Sequence, residues 1–126
     1  MLIIQPNQAS TLRLAGEERF RRGDMAGAAD HLWRAMWINP TPPSSPAAYW
    51  RMTMAASERA GLKTEAYRAG IRALALLERD NYLRPAERRD LLLDVGEMMV
   101  RQGMTLSGSH LIQSARMRGE VESIRN

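Results

Sequence analysis

The chain has 126 residues, 44% of them apolar, no cysteine, and a net charge of +4 with a calculated pI near 10.3. This length suits one domain that buries about two thirds of its unfolded surface. The lack of cysteine excludes disulfides and thiol chemistry, and it removes the usual soft ligands of zinc.

At the N-terminus, Met1-Leu2-Ile3-Ile4-Gln5-Pro6 lacks the basic start, the long apolar centre and the small-residue cleavage site of a secretory leader, so a cytoplasmic location is expected. Leu2-Ile3-Ile4 is the only segment that looks extended; it is expected to pack on the helices that follow or to join a partner contact. No apolar run of about 18 residues could span a bilayer, so no membrane is implied.

Spacings of three and four between apolar or small residues then predict helices over roughly 9–22, 25–38, 46–60, 63–79, 85–102 and 106–118. Gly23, Gly61 and Gly103 punctuate them in pairs, making three helical hairpins over 9–38, 46–79 and 85–118 with a tail at 119–126. Asn39 to Pro46 holds four of the six prolines and ends the first hairpin, because proline removes a donor and clashes with the preceding turn. Asp80 to Pro85 ends the second, with Pro85 suited to a first helical position. A hairpin of this size cannot bury its apolar stripe alone, so the copies must stack.

The first copy carries Leu12, Ala15-Gly16, Ala28, Leu32, Ala35 and Pro40 at the spacing of a tetratricopeptide repeat, with Arg19 where an aromatic is usual and Phe20 beside it. Trp50, Thr53-Met54, Ser57, Ala66, Gly70 and Ala73 repeat the pattern, with Gly70 in place of a bulky residue and Glu78 in place of the closing proline. Leu92, Val95-Gly96, Met99, Gly108, Ile112 and Ala115 give a third, degenerate copy. Turn to turn, the copies are 38 and 42 positions apart, against about 34 in the family, so both linkers are long. The chain thus resembles the tetratricopeptide family along most of its length. The resemblance implies an all-α, right-handed superhelical stack of three antiparallel hairpins, whose first helices line a concave groove that holds other proteins.

On that resemblance the groove residues are Arg13, Glu17, Phe20 and Arg21 from the first hairpin, Arg51, Ala55, Glu58 and Arg59 from the second, and Leu93, Glu97, Val100 and Arg101 from the third. Five arginines against three glutamates suit a peptide or helix carrying acidic residues. Arginine supplies 17 of the 18 basic residues, Lys63 being the only lysine. Those arginines either fill solvated helix faces, balanced by glutamates at three- or four-residue spacing, or form a recognition surface, since guanidinium binds carboxylates and phosphates bidentately. Some family members clamp a C-terminal carboxylate with lysines and asparagines; here Glu17 and Ala55 stand at the asparagine positions, and a glutamate there repels a carboxylate. That activity is not carried over.

Met54 and Met99 align with core positions, while Met52 and Met98 add adaptable thioethers to first helices. Trp33, Trp50 and Trp37 are expected in the core or at hairpin junctions, Trp37 being the one suited to an exposed contact. His31 and His110 stand in different hairpins, and no cysteine nucleophile or phosphate-cradling loop exists, so neither enzyme chemistry nor a metal or cofactor is expected. After the helix with Leu111, Ile112 and Ala115, residues 119–126 make a poor polar cap, so the exposed flank is expected either to pair with another copy as a homodimer through the C-terminal hairpin or to belong to a larger assembly. Two function classes follow. One is a protein-interaction module, adaptor, assembly factor or chaperone of the kind found in bacterial secretion systems. The other is a nucleic-acid-associated or regulatory protein using dispersed arginines on phosphates; it ranks behind because the basic residues form no stripe.

Overall fold

The computed structural model describes residues 8–39, 42 and 44–125, with side chains as far as 122. The expectations for Leu2-Ile3-Ile4, and for Pro40, Thr41 and Pro43 of the linker, lie outside those residues. Within them the chain is all-α, with six helices and no strand: α1 (Gln8–Arg21), α2 (Met25–Ile38), α3 (Pro46–Arg59), α4 (Lys63–Ala75), α5 (Pro85–Arg101) and α6 (Thr105–Arg125).

Each hairpin turns by one repeated device. Gly23, Gly61 and Gly103 take φ of 85°, 81° and 88°, a left-handed conformation that a Cβ would strain. The next residue donates back across the turn, Asp24 to the Arg19 carbonyl at 2.9 Å, Leu62 to Ser57 at 2.8 Å and Met104 to Met99 at 2.8 Å. These bonds satisfy carbonyls that the helix end leaves open. The starts are secured differently: the Asp24 carboxylate accepts from the Gly27 N–H at 3.0 Å, and the Ser45 hydroxyl accepts from the Ala48 N–H at 3.2 Å. The Glu87 carboxylate accepts from the Arg84 N–H at 3.3 Å at the beginning of α5.

Inside each hairpin a small residue meets a large one. A Cβ built on Gly16 would lie 2.7 Å from Leu32 Cγ, so α1 and α2 touch where only glycine fits. In the second hairpin the sizes are exchanged: Gly70 stands where Leu32 does, and Met54, where Gly16 does, reaches it, with Met54 Sδ 3.0 Å from the built Cβ. The substitution that weakens the repeat pattern in sequence is therefore a swap of partners across one contact. In the third hairpin Gly96 and Gly108 face each other through backbone, the Gly96 carbonyl lying 2.5 Å from a Cβ built on Gly108.

Between hairpins the core is continuous. Met36 of α2, Trp50 and Met54 of α3, Ala69 and Ala73 of α4, Leu91, Val95 and Met98 of α5 and Ala115 of α6 belong to one buried cluster, and Ala28, Ala29 and Leu32 pack with Ala56 of α3 in a second. Trp33 meets Trp50 edge-on, with ring centroids 5.2 Å apart, and its indole N–H donates to the Ser57 hydroxyl at 3.1 Å. Of the methionines singled out, Met54, Met98 and Met99 are buried and Met52 is half-buried; Trp37 stands 78% exposed.

Two boundaries depart from the sequence pattern. α4 ends at Ala75, four residues before the expected 79, and the chain tightens through three-residue turns such as Leu77 N–H to the Leu74 carbonyl at 3.1 Å. The cause is Asp80. Its buried carboxylate accepts from the Ser45 hydroxyl at 2.6 Å, the Ala47 N–H at 3.0 Å and the Tyr82 N–H at 3.0 Å. It thereby sits on the positive end of α3 and pulls the linker across. At the other end, α6 runs to Arg125 through the expected tail, because one glycine at 119 costs only about 1 kcal/mol and Glu122 is held by Arg89 of α5.

Because a backbone oxygen cannot move aside as a thioether can, Gly108→Ala is expected to destabilise the chain by about 1–3 kcal/mol. Gly70→Ala, which meets the flexible ends of Met98 and Met54, should cost clearly less; urea unfolding of the two variants makes the comparison.

Candidate functional site

The odd-numbered helices share one face. Arg13 of α1 lies over the Tyr49 ring of α3, 5.4 Å from its centroid, and Arg59 of α3 lies over Phe20 of α1 at 5.3 Å. Further along, Arg51 of α3 pairs with Asp94 of α5 at 2.6 Å, and Arg101 of α5 forks onto Glu58 of α3 at 2.8 and 2.7 Å. Four contacts through arginine thus tie α1 to α3 and α3 to α5. Such charge-assisted and stacked contacts have a fixed geometry that suits guanidinium better than ammonium.

Of the residues expected in a groove, Arg13, Phe20, Arg51, Glu58, Arg59 and Arg101 take part in these contacts, in varied exposure. Arg13 is the departure: it is buried at 5% exposure, its Nη2 donates to the Ser10 hydroxyl at 3.0 Å, and its Nη1 has no hydrogen-bond partner. The cause is its stacking on Tyr49, which turns the guanidinium into the α1/α3 seam. Arg21 points away toward Glu18, 3.9 Å distant. Glu17, Phe20, Arg51, Ala55, Glu58 and Leu93 are half-buried, while Arg59, Glu97, Val100 and Arg101 are exposed. A pocket of ≈ 250 Å³ between α1 and α3 is lined by Glu17, Ser44, Ser45, Ala48, Tyr49 and Met52.

Tyr49, Met52 and Asp94 were not among the expected residues. The signal that could have found Asp94 is spacing: Arg51 to Asp94 and Glu58 to Arg101 are both 43 positions apart, one more than the separation of the flanking turns. Opposite charges recurring at the inter-copy spacing mark neighbouring helices.

Away from this face the same economy holds. Glu78 receives both Arg118 and Arg88, and its carboxyl is held below the usual glutamate range, chiefly by the hydrogen bond from Arg118. Arg101 is pushed above its ordinary value, chiefly by the hydrogen bond to Glu58. Apolar surfaces remain open elsewhere: a cleft of ≈ 350 Å³ around Leu74, Met99, Leu106 and Leu111, and two more. One is a groove of ≈ 890 Å³ between the start of α5 and the end of α6, where Leu83, Pro85, Met117 and Val121 meet. The other is a cleft of ≈ 410 Å³ around Leu12, Trp33, Trp37 and Ile38. Among the described residues no three His, Asp or Glu side chains converge as metal ligands, and no helix is long and apolar enough to cross a membrane.

Comparison with family models gives no match for this chain, and comparison with curated proteins gives no relative.

A double-mutant cycle on Glu58→Ala and Arg101→Ala should return a coupling of about 0.5–1 kcal/mol that shrinks at high salt, since the pair is partly exposed. Glu78 has a native pKa below its unfolded one, so its contribution is present above the unfolded value and is lost as pH falls through the native one. Glu78→Gln should therefore lower stability at neutral pH and converge with the parent chain in strong acid, as followed by urea midpoints across a pH series.

Proposed function

We propose that this protein is a non-enzymatic, cytoplasmic interaction module of tetratricopeptide-like build. Its three hairpins stack as a right-handed superhelix, and it holds a segment of another protein against the face formed by α1, α3 and α5. The observation that carries this reading is the arginine-mediated tying of α1 to α3 and α3 to α5, which supports a single continuous face. Ala55 stands on α3 between Arg51 and Glu58, the two residues that join α5, and in this reading it offers, with Leu93 and Val100 of α5, small and apolar side chains on which a partner chain can lie. A small module of this kind serves as adaptor, assembly factor or dedicated chaperone.

The C-terminal flank supports a second contact. Leu106 is 87%, Met117 57% and Val121 47% exposed along α6, in keeping with a homodimer formed where the next hairpin would stack.

The test is affinity capture from the native lysate at low and moderate salt with three baits: the parent chain, Ala55→Arg, and Leu93→Asp with Val100→Asp. One stoichiometric protein that survives moderate salt on the parent bait and falls at least tenfold on both variants, helix content being unchanged, is the expected result. Capture indifferent to the variants rejects the face. Recovery of nucleic acid that disappears as salt rises puts the phosphate-binding class in front. Charge reversal of Arg13 or Arg51 is the wrong probe, because the first is buried against Tyr49 and the second holds Asp94.

A further inference from the structure

Counted by residue type, the shared face is basic; counted by what each charge already touches, it is not. Arg13 is buried over Tyr49, Arg51 is on Asp94, Arg59 lies over Phe20 and Arg101 is forked on Glu58. Arg51 and Arg101 are thus paired with acids, and Arg13 and Arg59 lie on aromatic rings. The acids are not equally served. Glu17 has no ion pair or hydrogen bond from its carboxylate among the described residues, and Glu97 has only Arg101 at 4.0 Å, a guanidinium already committed to Glu58.

Glu17 also has a place for a counter-ion to enter. It lines the ≈ 250 Å³ pocket together with Ser44, Tyr49 and Met52. An aliphatic stem can lie along Met52 and Tyr49 while its charged end meets Glu17, the mode in which lysine and arginine bury their methylenes. Of the cations one turn away on its own helix, Arg13 has its Nη1 closed off from solvent and Arg21 lies 3.9 Å from Glu18.

We propose that the face of α1, α3 and α5 takes a basic segment of a partner protein, anchored by a lysine or arginine in the Glu17 pocket and a second one at Glu97, with apolar residues over Ala55. This rests on the docking face proposed above and specifies its ligand. It also reverses the acidic partner suggested by residue counts. Glu17 and Glu97 occupy the same register on the first and third odd helices, on the order of 20 Å apart with α3 between them. An extended chain covers that span in about six residues.

The test uses three fluorescein-labelled peptides of one Ala/Leu/Ser sequence that differ only at two positions about six residues apart, both Lys, both Gln or both Glu. Their binding to the full chain is read by anisotropy at low and moderate salt. The Lys peptide should bind at least tenfold tighter than the Glu peptide, with Gln between. Glu17→Gln with Glu97→Gln should erase the preference, and Glu17→Lys should invert it; the first pair is isosteric, and helix content by circular dichroism verifies folding. A tighter Glu peptide, equal affinities, or binding by none of the three overturns the basic anchor. If the Ala55-dependent partner is nevertheless captured from lysate, the docking face survives that result; if capture is also indifferent to Ala55→Arg, both readings fail.

Discussion

The contact on which the rest of the structure depends is the close approach of two helices within each hairpin, where one side chain must be small because the other is large. Gly16 under Leu32, Gly70 under Met54 and the backbone contact of Gly96 with Gly108 are three solutions to one steric problem. Interiors pack at nearly crystalline density, so a methyl group on the wrong side is felt throughout the hairpin. With the helices at that distance, Ala28, Ala66, Ala73 and Ala115 are buried. The apolar stripe of each hairpin is then left facing the next.

Stacking is completed by groups that sequence position does not advertise. Asp80 belongs to the linker between α4 and α5 but satisfies the start of α3, an arrangement that shortens α4 and lengthens the connection. Arg88 fastens the same linker by donating to the Leu83 and Asp80 carbonyls at 3.3 and 3.1 Å. The long spacing between copies is thus used: the extra residues carry a buried carboxylate to a helix terminus, where backbone N–H groups and the local dipole both favour it.

Arginine dominates the basic residues for a reason visible in these contacts. Stacking over Tyr49, Phe20 and Trp50, the last by Arg72 at 5.1 Å, and forking onto Glu58 need a planar, delocalised cation. The net charge of +4 therefore says little about what any one face presents. Beside the two alternatives for the arginines, solvated helix faces and recognition, the structure shows a third use, the joining of adjacent hairpins.

The all-α class, the six helices, the three glycine turns and the burial of Met54 and Met99 could be read from the chain, because they rest on three- and four-residue periodicity and on the restricted conformations of glycine and proline. The same periodicity indicates which residues of one helix lie on the same side. Their chemistry could not: whether Arg13 is exposed or buried, whether Arg51 is free or held by Asp94, and whether Glu17 has a counter-ion depend on residues 36 to 43 positions away. Local spacing determined which residues share a helix face, since that follows from 3.6 residues per turn. Only the tertiary structure decided which charges on that face are already neutralised, because a salt bridge between hairpins exists only once the helices stand side by side.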